Sequence, residues 1–444
     1  MTTVRIIDII AKKRDGKQLD EKEIIAVVKG YTDGELPDYQ MAAFLMAVYF
    51  RGMTNEETSN LTLAMANSGQ IIDLSDIPGV KVDKHSTGGV ADTTTLVLGP
   101  LVASVGIPVA KMSGRGLGFT GGTIDKLESI PGFRTTLSKD EFITNLKRHS
   151  IALTSQNKDI APADGKIYAL RDSTATVESI PLISSSIMSK KIAAGADKIL
   201  LDVKVGSGAF MKDLPSAVKL ASTMVEIGKS VGRETCAIIT NMDEPLGYAV
   251  GNSLEIKEAI ETLKGNGPEG LQHLCLLLGS HMMKLAGCQT DLDFAYSMLM
   301  KNLKNGQALA KFKEFIKAQS GNAEVVDNQK LLPFAEFQIE LESSVEGYVQ
   351  AIDAAKVGYA AMLLGAGREH KEQAIDLAAG IMMKCRVGSF VKLKQPLAEL
   401  HTNSEARLEA AKMYIIQAIK IDSKRAAPSQ LILGIVDKNG YRKY

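Results

Sequence analysis

The chain has 444 residues, of which 45% are hydrophobic and 23% are charged, a balance typical of a globular protein with two or three domains. Its 52 lysines and arginines nearly match its 51 aspartates and glutamates, and this net charge of +1 argues against nucleic acid or an anionic membrane as a partner. No apolar run is long enough to span a bilayer, and the amino terminus lacks the apolar segment of a signal peptide, so we expect a cytoplasmic protein.

The cysteines argue against a disulfide framework or a zinc site. They lie far apart and form no Cys-x-x-Cys pair. They are Cys236, Cys275, Cys288 and Cys385. We expect reduced thiols.

The first 69 residues predict a group of helices. Asp20 and Glu23 have the spacing of a capping box, and Thr54 and Glu57 repeat it. Pro37 is predicted in the first turn of the helix between them, where a missing N–H is tolerated. The apolar faces of these helices are equally consistent with packing inside one domain and with packing against a second subunit.

After Gly69 short apolar runs alternate with helical patterns, which indicates an α/β domain. Asp92 is predicted to cap one helix, and Ser138 with Glu141 is predicted to cap another. Strands are predicted at residues 108–112, 151–154, 198–204 and 235–240.

Two clusters of glycine, hydroxyl and cationic residues lie on either side of an apolar segment, at residues 84–89 and 111–123. One such cluster usually marks a turn, but two clusters that each carry a cation favour an anion site. Glycine lets the backbone approach a ligand closely, and free N–H groups and hydroxyls can then bind phosphate oxygens. Neither cluster has the spacing of a P-loop or of the dinucleotide fingerprint.

Residues 160–196 again predict helix. Ser186 and Lys190 are four residues apart and would share one helix face, with Arg171 earlier in the same region. The serine run at 184–186 is explained equally well by a polar ligand or by a helix cap. Arginine, lysine and serine can bind the carbonyl and N–H groups of a planar, amide-like ligand. A site for such a ligand next to a site for phosphate suggests an enzyme that uses phosphate to split a nucleoside.

The remaining chain predicts a helix-rich section at 254–319 and then, from about residue 332, short strands with turns. The last part carries no cluster of chemically active residues. We therefore expect a small β-rich unit at the carboxyl end.

Long motifs in this chain resemble the signature of the thymidine/pyrimidine-nucleoside phosphorylase family, most closely its bacterial pyrimidine-nucleoside branch. They are Lys84-His85-Ser86-Thr87-Gly88-Gly89, Ser113-Gly114-Arg115-Gly116-Leu117-Gly118 and Thr120-Gly121-Gly122-Thr123-Ile124-Asp125-Lys126-Leu127-Glu128. The resemblance also includes residues 92–95, 168–172, 184–191 and 206–210, and it covers essentially the whole chain.

The resemblance implies an α/β protein with an added all-α domain. The small helical domain would comprise residues 1–69 and 160–196 and would form a homodimer. A large α/β domain with a mostly parallel sheet would comprise 70–159 and 197–331, followed by an α+β, β-rich subdomain at 332–444.

The resemblance also implies a site for phosphate and a site for the pyrimidine, in a cleft between the domains. The implied phosphate ligands are Lys84, Ser86, Thr95, Lys111, Ser113 and Thr123. The implied base ligands are Arg171, Ser186 and Lys190, with apolar walls from Tyr168, Leu117, Ile183 and Phe210. His85, Arg171 and Lys190 would be the catalytic residues. A structural potassium ion would bind at Ala91, Thr93, Leu246, Ala249 and Glu258.

The implied reaction is the reversible phosphorolysis of uridine, thymidine and deoxyuridine to the free base and (deoxy)ribose 1-phosphate, with phosphate as co-substrate. Two residues depart from the family pattern, because Ala91 replaces a usual glycine and Phe119 a usual histidine. Two alternatives therefore stay open: a binding protein that has lost catalysis, and a phosphoribosyltransferase of the anthranilate type, which shares the general architecture.

Overall fold

The computed structural model describes residues 5–116, 119, 121–155, 159–368, 373–427 and 429–444. The α-helices are α1 Ile6–Arg14, α2 Glu21–Asp33, α3 Asp38–Arg51, α4 Asn55–Ala66, α5 Thr94–Ala103, α6 Thr123–Leu127, α7 Lys139–His149, α8 Pro162–Ser173, α9 Ile180–Ala193, α10 Leu214–Ser230, α11 Asn252–Leu263, α12 Glu269–Leu285, α13 Leu292–Lys304, α14 Gln307–Ala318, α15 Ala354–Ala361 and α16 Leu408–Ala418. The strands are β1 Val82–Ser86, β2 Val109–Ser113, β3 Ile151–Ser155, β4 Lys198–Val205, β5 Thr235–Asn241, β6 Ala249–Val250, β7 Phe337–Glu342, β8 Gly347–Ile352, β9 Gly380–Met383, β10 Phe390–Val391, β11 Pro396–Thr402, β12 Ile419–Asp422, β13 Ile432–Asp437 and β14 Gly440–Lys443.

The amino-terminal helices begin where the sequence predicts. Both predicted capping boxes form, at Asp20 before α2 and at Thr54 before α4, and a third forms at Ser138 before α7. Pro37 is the residue that precedes α3 and not part of its first turn, so that prediction was off by one position.

Residues 160–196 form two helices, α8 and α9, where the sequence predicted one helical region. Pro181 lies in the first turn of α9 and cannot donate a hydrogen bond to a preceding turn, which explains the break. α9 packs on α4, where the buried Ser185 hydroxyl donates to Thr58 O at 3.2 Å and accepts from Thr62 at 3.1 Å. Because Ser179 precedes α9, the serines at 184–186 are inside the helix, and the cap interpretation was wrong.

A seven-stranded sheet with the order β14-β13-β5-β4-β1-β2-β3 forms the centre of the molecule. β5, β4, β1, β2 and β3 are parallel to one another, so the sheet is mostly parallel, as predicted. The carboxyl ends of these strands lie at one edge of the sheet, which is where ligands bind in folds of this kind.

Helix α5 follows β1 and begins one residue later than predicted. Thr93, not Asp92, is the residue before α5. The Asp92 carboxylate still accepts from the Thr94 amide at 3.3 Å and from the Thr94 hydroxyl at 2.5 Å. It therefore stabilises the first turn from one position further out than a normal cap.

The carboxyl-terminal part contains a four-stranded sheet, β6-β9-β11-β7, and a three-stranded sheet, β10-β8-β12. The predicted β-rich unit is therefore present, but it does not extend to residue 444. β13 pairs antiparallel with β5, and β14 pairs with β13. Ile432 and Val436 of β13 are buried, so the last strands belong to the large sheet and cover its edge.

Within the described residues, no helix is both long enough and apolar enough to cross a bilayer.

We predict that β13, and not β14, is required for a stable large sheet. Removing residues 431–444 would expose the edge of β5 and the surface covered by Ile432 and Val436, at a cost of at least about 3 kcal/mol in the free energy of unfolding. Removing only 440–444 deletes an exposed strand and serves as the control. Urea denaturation of both truncated proteins measures the difference, and equal stability of the two would contradict the assignment.

Candidate active site

A cleft of about 710 Å³ lies between helices α8 and α9 and the carboxyl edge of the parallel strands. Most of the predicted site residues line it, including both catalytic cations and the histidine. They are His85, Ser86, Thr95, Lys111, Ser113, Thr123, Tyr168, Arg171, Ile183, Ser186, Lys190 and Phe210. Leu117, a predicted wall of the base site, lies outside the described residues.

The residues predicted to bind phosphate lie at strand ends and helix starts, and we call their side of the cleft the phosphate side. The opposite side carries the residues predicted to bind the base, and we call it the base side. Ser86 and Ser113 are the last residues of β1 and β2, and Thr123 is the first residue of α6. We call the group formed by Ser86, Ser113 and Thr123 the phosphate cradle. The Lys111 ammonium lies under it and donates to Lys84 O at 2.8 Å and Met112 O at 3.1 Å. Burial, Lys191 and Lys84 lower the pKa of Lys111 well below its usual value, although Asp83 opposes this effect. An anion in the cradle would favour the charged ammonium.

Lys84 does not line the cleft, although the resemblance implied that it binds phosphate. Its ammonium contacts the Thr94 hydroxyl and lies 3.3 Å from Asp202, which also pairs with Lys204 at 2.8 Å. The next two residues of β1, His85 and Ser86, do line the cleft. The described geometry gives Lys84 a supporting position.

On the base side, Lys190 and Ser186 form a joined pair of polar groups on one face of α9. The Lys190 ammonium donates to Asp164 at 2.6 Å and to the Ser186 hydroxyl at 2.9 Å. Burial lowers the pKa of Lys190, while Asp164 raises it. This arrangement fixes the ammonium at the wall of the cleft.

Arg171 has a partly structural role. Its guanidinium donates to Leu182 O at 3.2 Å and Thr176 O at 3.4 Å, and also to Val177 O. It lies 5.6 Å from the centre of the Tyr168 ring. Arg171 therefore holds the connection between α8 and α9 while one side of it lines the cleft.

Sequence reasoning missed several charged residues of the cleft. Asp92 accepts a hydrogen bond from Ser86, and Asp164 pairs with Lys190. Asp164, Tyr168 and Arg171 have helical spacing on one face, so periodicity could have revealed Asp164. Arg368 comes from the carboxyl-terminal part of the chain, and no local pattern pointed to it.

His85 is a neutral imidazole in the free protein. Burial lowers its pKa well below 6.5, and the charges of Lys191, Lys111, Lys190 and Lys84 lower it further. A neutral imidazole has one N–H donor and one acceptor nitrogen. At neutral pH His85 can therefore donate a hydrogen bond but has no extra proton to give.

Among the residues implied for potassium, Ala249 contacts the buried carboxylate of Glu258. Glu258 Oε1 accepts from the amides of Tyr248 at 2.7 Å and Ala249 at 3.0 Å, while Oε2 has no hydrogen-bond partner among the described residues. Burial raises the pKa of Glu258 to about 7. Ala91 has a positive φ of 55°, so its backbone adopts the left-handed conformation that the usual glycine would adopt without strain. A buried carboxylate oxygen without a donor fits a hard cation at this place.

Phe119, which replaces the usual histidine, packs against Tyr359 of α15. Its ring centre is 4.8 Å from that of Tyr359, and it does not line the cleft. A side chain at Gly358 would come within 2.6 Å of Phe119 O, so the two segments are in close contact. Phe119 joins the glycine-rich loop, whose described residues are 114–116, 119 and 121–122, to α15.

Three known protein-domain families match separate parts of the chain. The a/b domain of the glycosyl transferase family matches residues 79–309, and the helical bundle domain of that family matches residues 7–69. The pyrimidine nucleoside phosphorylase C-terminal domain matches residues 348–422.

Similar proteins extend over almost the whole chain. The pyrimidine-nucleoside phosphorylase of Geobacillus stearothermophilus is 58% identical over 98% of this chain and 100% of its own length. That of Bacillus subtilis is 56% identical over 96% of this chain and 98% of its own. Among solved structures, anthranilate phosphoribosyltransferase from Thermus thermophilus is similar with a TM-score of 0.59 and 18% identity, covering 70% of this chain and 99% of that one. The last similarity shows a shared fold alone.

We predict that His85 stays neutral in the free protein down to pH 6, because its pKa lies well below 6.5. NMR of histidine labelled at the imidazole ring would show a His85 resonance that does not titrate between pH 8 and pH 6. The His85→Asn variant assigns the resonance. A titration midpoint near the ordinary histidine value would contradict the effect of the buried lysines.

Proposed function

This chain belongs to the pyrimidine-nucleoside phosphorylase family, and we propose that the cleft residues described above bind and split its substrates. The protein is an enzyme that uses inorganic phosphate to cleave pyrimidine nucleosides, which makes it a glycosyltransferase. We infer uridine, thymidine and deoxyuridine as substrates, and (deoxy)ribose 1-phosphate with the free base as products.

One observation carries the assignment of roles: two different polar sites face each other across one cleft. Ser86 and Ser113 offer hydroxyls at the strand ends and Thr123 offers one at the start of α6. Lys190 with Ser186 offers donors on the opposite helix. The first set suits a phosphate dianion, and the second suits the carbonyls and N3 of a pyrimidine. Holding both reactants in one cleft removes much of the entropic cost of their encounter.

In the proposed reaction a phosphate oxygen forms a bond to C1′ of the pentose as the bond from C1′ to the base nitrogen breaks. The electron pair of that bond leaves with the base. The nearby phosphate charge stabilises the positive charge that develops on the sugar. Lys190 and Arg171 stabilise the negative charge that develops on the base, and preorganised donors of this kind typically contribute about 3 kcal/mol each.

His85 would assist as a hydrogen-bond donor to the departing base. Its neutral state at pH 7 suits this role, because a neutral imidazole donates without adding another positive charge beside the lysines. Asp164 would keep the Lys190 ammonium charged and aimed at the base.

The phosphoribosyltransferase alternative has little support. The similarity to an anthranilate phosphoribosyltransferase is at 18% identity, whereas relatives at more than 50% identity carry the phosphorylase name. The non-catalytic alternative rested on Ala91 and Phe119. Ala91 adopts the positive φ expected of the usual glycine, and Phe119 faces away from the substrate cleft, so neither residue gives a reason for lost catalysis.

We also propose a homodimer and a potassium ion. Helices α1 and α3 expose large apolar side chains, with Ile7 55% exposed and Tyr39 and Phe50 each 75% exposed, and a second copy would cover them. The Glu258 carboxylate would hold potassium together with backbone oxygens of Ala91, Thr93, Leu246 and Ala249, and the ion would be the partner that Oε2 lacks among the described residues. A cytoplasmic location stays a prediction.

We predict phosphate-dependent release of uracil and thymine by the wild-type enzyme, and a loss of about 100-fold in kcat/KM in Lys190→Met, because the donor to the base is removed. Release of free base, followed by absorbance or chromatography, measures both. Lys198→Met, which removes an ammonium that pairs with Glu234 at the surface, is the control and should keep full activity. Wild-type kinetics in Lys190→Met would contradict the base-site assignment.

We predict that potassium raises the thermal stability of the wild-type enzyme, while Glu258→Gln loses this response, because the neutral amide no longer attracts the ion. Thermal unfolding in potassium chloride and in tetramethylammonium chloride separates the ion's effect from ionic strength. Glu261→Gln, on the same helix but paired with Lys264 near the surface, should respond like the wild type. Equal responses in Glu258→Gln and the wild type would contradict the site.

A further inference from the structure

Asp125 joins the two sides of the glycine-rich loop that forms part of the phosphate cradle. Its Oδ2 accepts from the Gly116 amide at 2.6 Å, which ties the segment after Ser113 to the helix that begins at Thr123. The two segments also touch at Gly122, where a Cβ would lie 1.9 Å from Gly116 N. Because Ser113 and Thr123 line the cleft from opposite sides of this junction, Asp125 sets their separation.

Two guanidinium groups compensate the charge of Asp125. Arg115 lies 3.0 Å from Asp125 Oδ1, and Arg368 lies 2.9 Å from the same oxygen. The Arg115 side chain is 51% exposed and also pairs with Glu128, whereas the Arg368 side chain is only 15% exposed. The exposed Arg115 contact is weakened by water and by its second partner, so Arg368 is the stronger partner of Asp125.

Arg368 reaches this junction from a distant part of the chain. It follows α15 and a short turn at residues 362–366, in the part of the molecule that contains the β-rich sheets. Its contact with Asp125 therefore links the carboxyl-terminal unit directly to the loop beside phosphate. Arg368 also lines the cleft, so the link is made at the site and not behind it.

We propose that Arg368 is a positioning residue for phosphate: through Asp125 it holds the glycine-rich loop in the conformation that binds the anion. The proposal rests on the proposed function of the cleft, and it assigns the carboxyl-terminal unit a part in binding the co-substrate. The base side of the cleft has its own supports, Asp164 for Lys190 and the α8–α9 connection for Arg171. Loss of Arg368 should therefore affect phosphate and leave the nucleoside site almost unchanged.

The test compares Arg368→Gln with Arg368→Lys. We expect the Kd of inorganic phosphate and its KM to rise about tenfold in Arg368→Gln, the size of one lost hydrogen bond to a charged group. The KM of uridine at saturating phosphate should change less than about twofold. Arg368→Lys restores the positive charge and should recover part of the affinity. Arg134→Gln, which removes a surface pair with Glu141, is the matched control and should behave as the wild type.

A second measurement separates positioning from direct binding. If Arg368 acts through Asp125, the double variant Arg368→Gln/Asp125→Asn should bind phosphate no more weakly than Asp125→Asn alone. Additive losses, or a raised KM for uridine in place of phosphate, would overturn the proposal, as would an unchanged phosphate Kd in Arg368→Gln. Calorimetric binding of inorganic phosphate needs no turnover, so the result stands even if the wild-type enzyme cleaves none of the proposed nucleosides. Circular dichroism and thermal unfolding verify that each variant is folded.

Discussion

The site depends on a group of ion pairs buried beneath strand β1. Asp83 contacts Lys191 at 2.9 Å and Lys111 at 3.6 Å, and Asp202 on the next strand contacts Lys204 and Lys84. Removing so many charges from water is costly, and buried pairs of this kind are seldom a net source of stability. Their effect is positional, because they fix lysine stems and backbone carbonyls under a cradle whose own occupant is an anion.

The same arrangement explains why the chemistry needs two domains. The parallel strands bring hydroxyls and a lysine to one edge, where the Lys111 ammonium is already held by two backbone carbonyls and by Asp83. The donors proposed for the base come from α8 and α9, which have their own buried support in Asp164 and Ser185. The proposed reaction requires that these two sets of side chains face each other across the cleft.

Local patterns predicted the parts of this structure that local physics determines. The capping boxes at Asp20 and Thr54, the buried strand at β4 and the glycine clusters were visible because spacing and composition control them. Lys84 was assigned to phosphate from the motif alone, and its contacts with Thr94 and Asp202 depend on tertiary packing that a motif does not show. Arg368 and β13 could not be predicted, since their partners, Asp125 and β5, are distant in sequence and only tertiary packing joins them.

Ala91 shows how a departure from a family pattern can be tolerated. A left-handed alanine costs roughly 1–2 kcal/mol in the folded state. Replacing glycine with alanine also restricts the unfolded chain, which returns about 0.4–1 kcal/mol. The net cost is small, and the surrounding contacts, such as the Thr93 amide that donates to Ala91 O at 3.0 Å, are sufficient to hold the turn.

The position of β13 has a consequence for how the chain folds during synthesis. Ile435 pairs with Ile238, so the edge of β5 stays uncovered while the ribosome makes almost the entire second half of the protein. Exposed strand edges attract other chains, and domains normally begin to fold from the amino terminus as they emerge. Completion of the central sheet therefore has to wait until β13 has been made, and its pairing with β5 then covers an edge that could otherwise bind other chains.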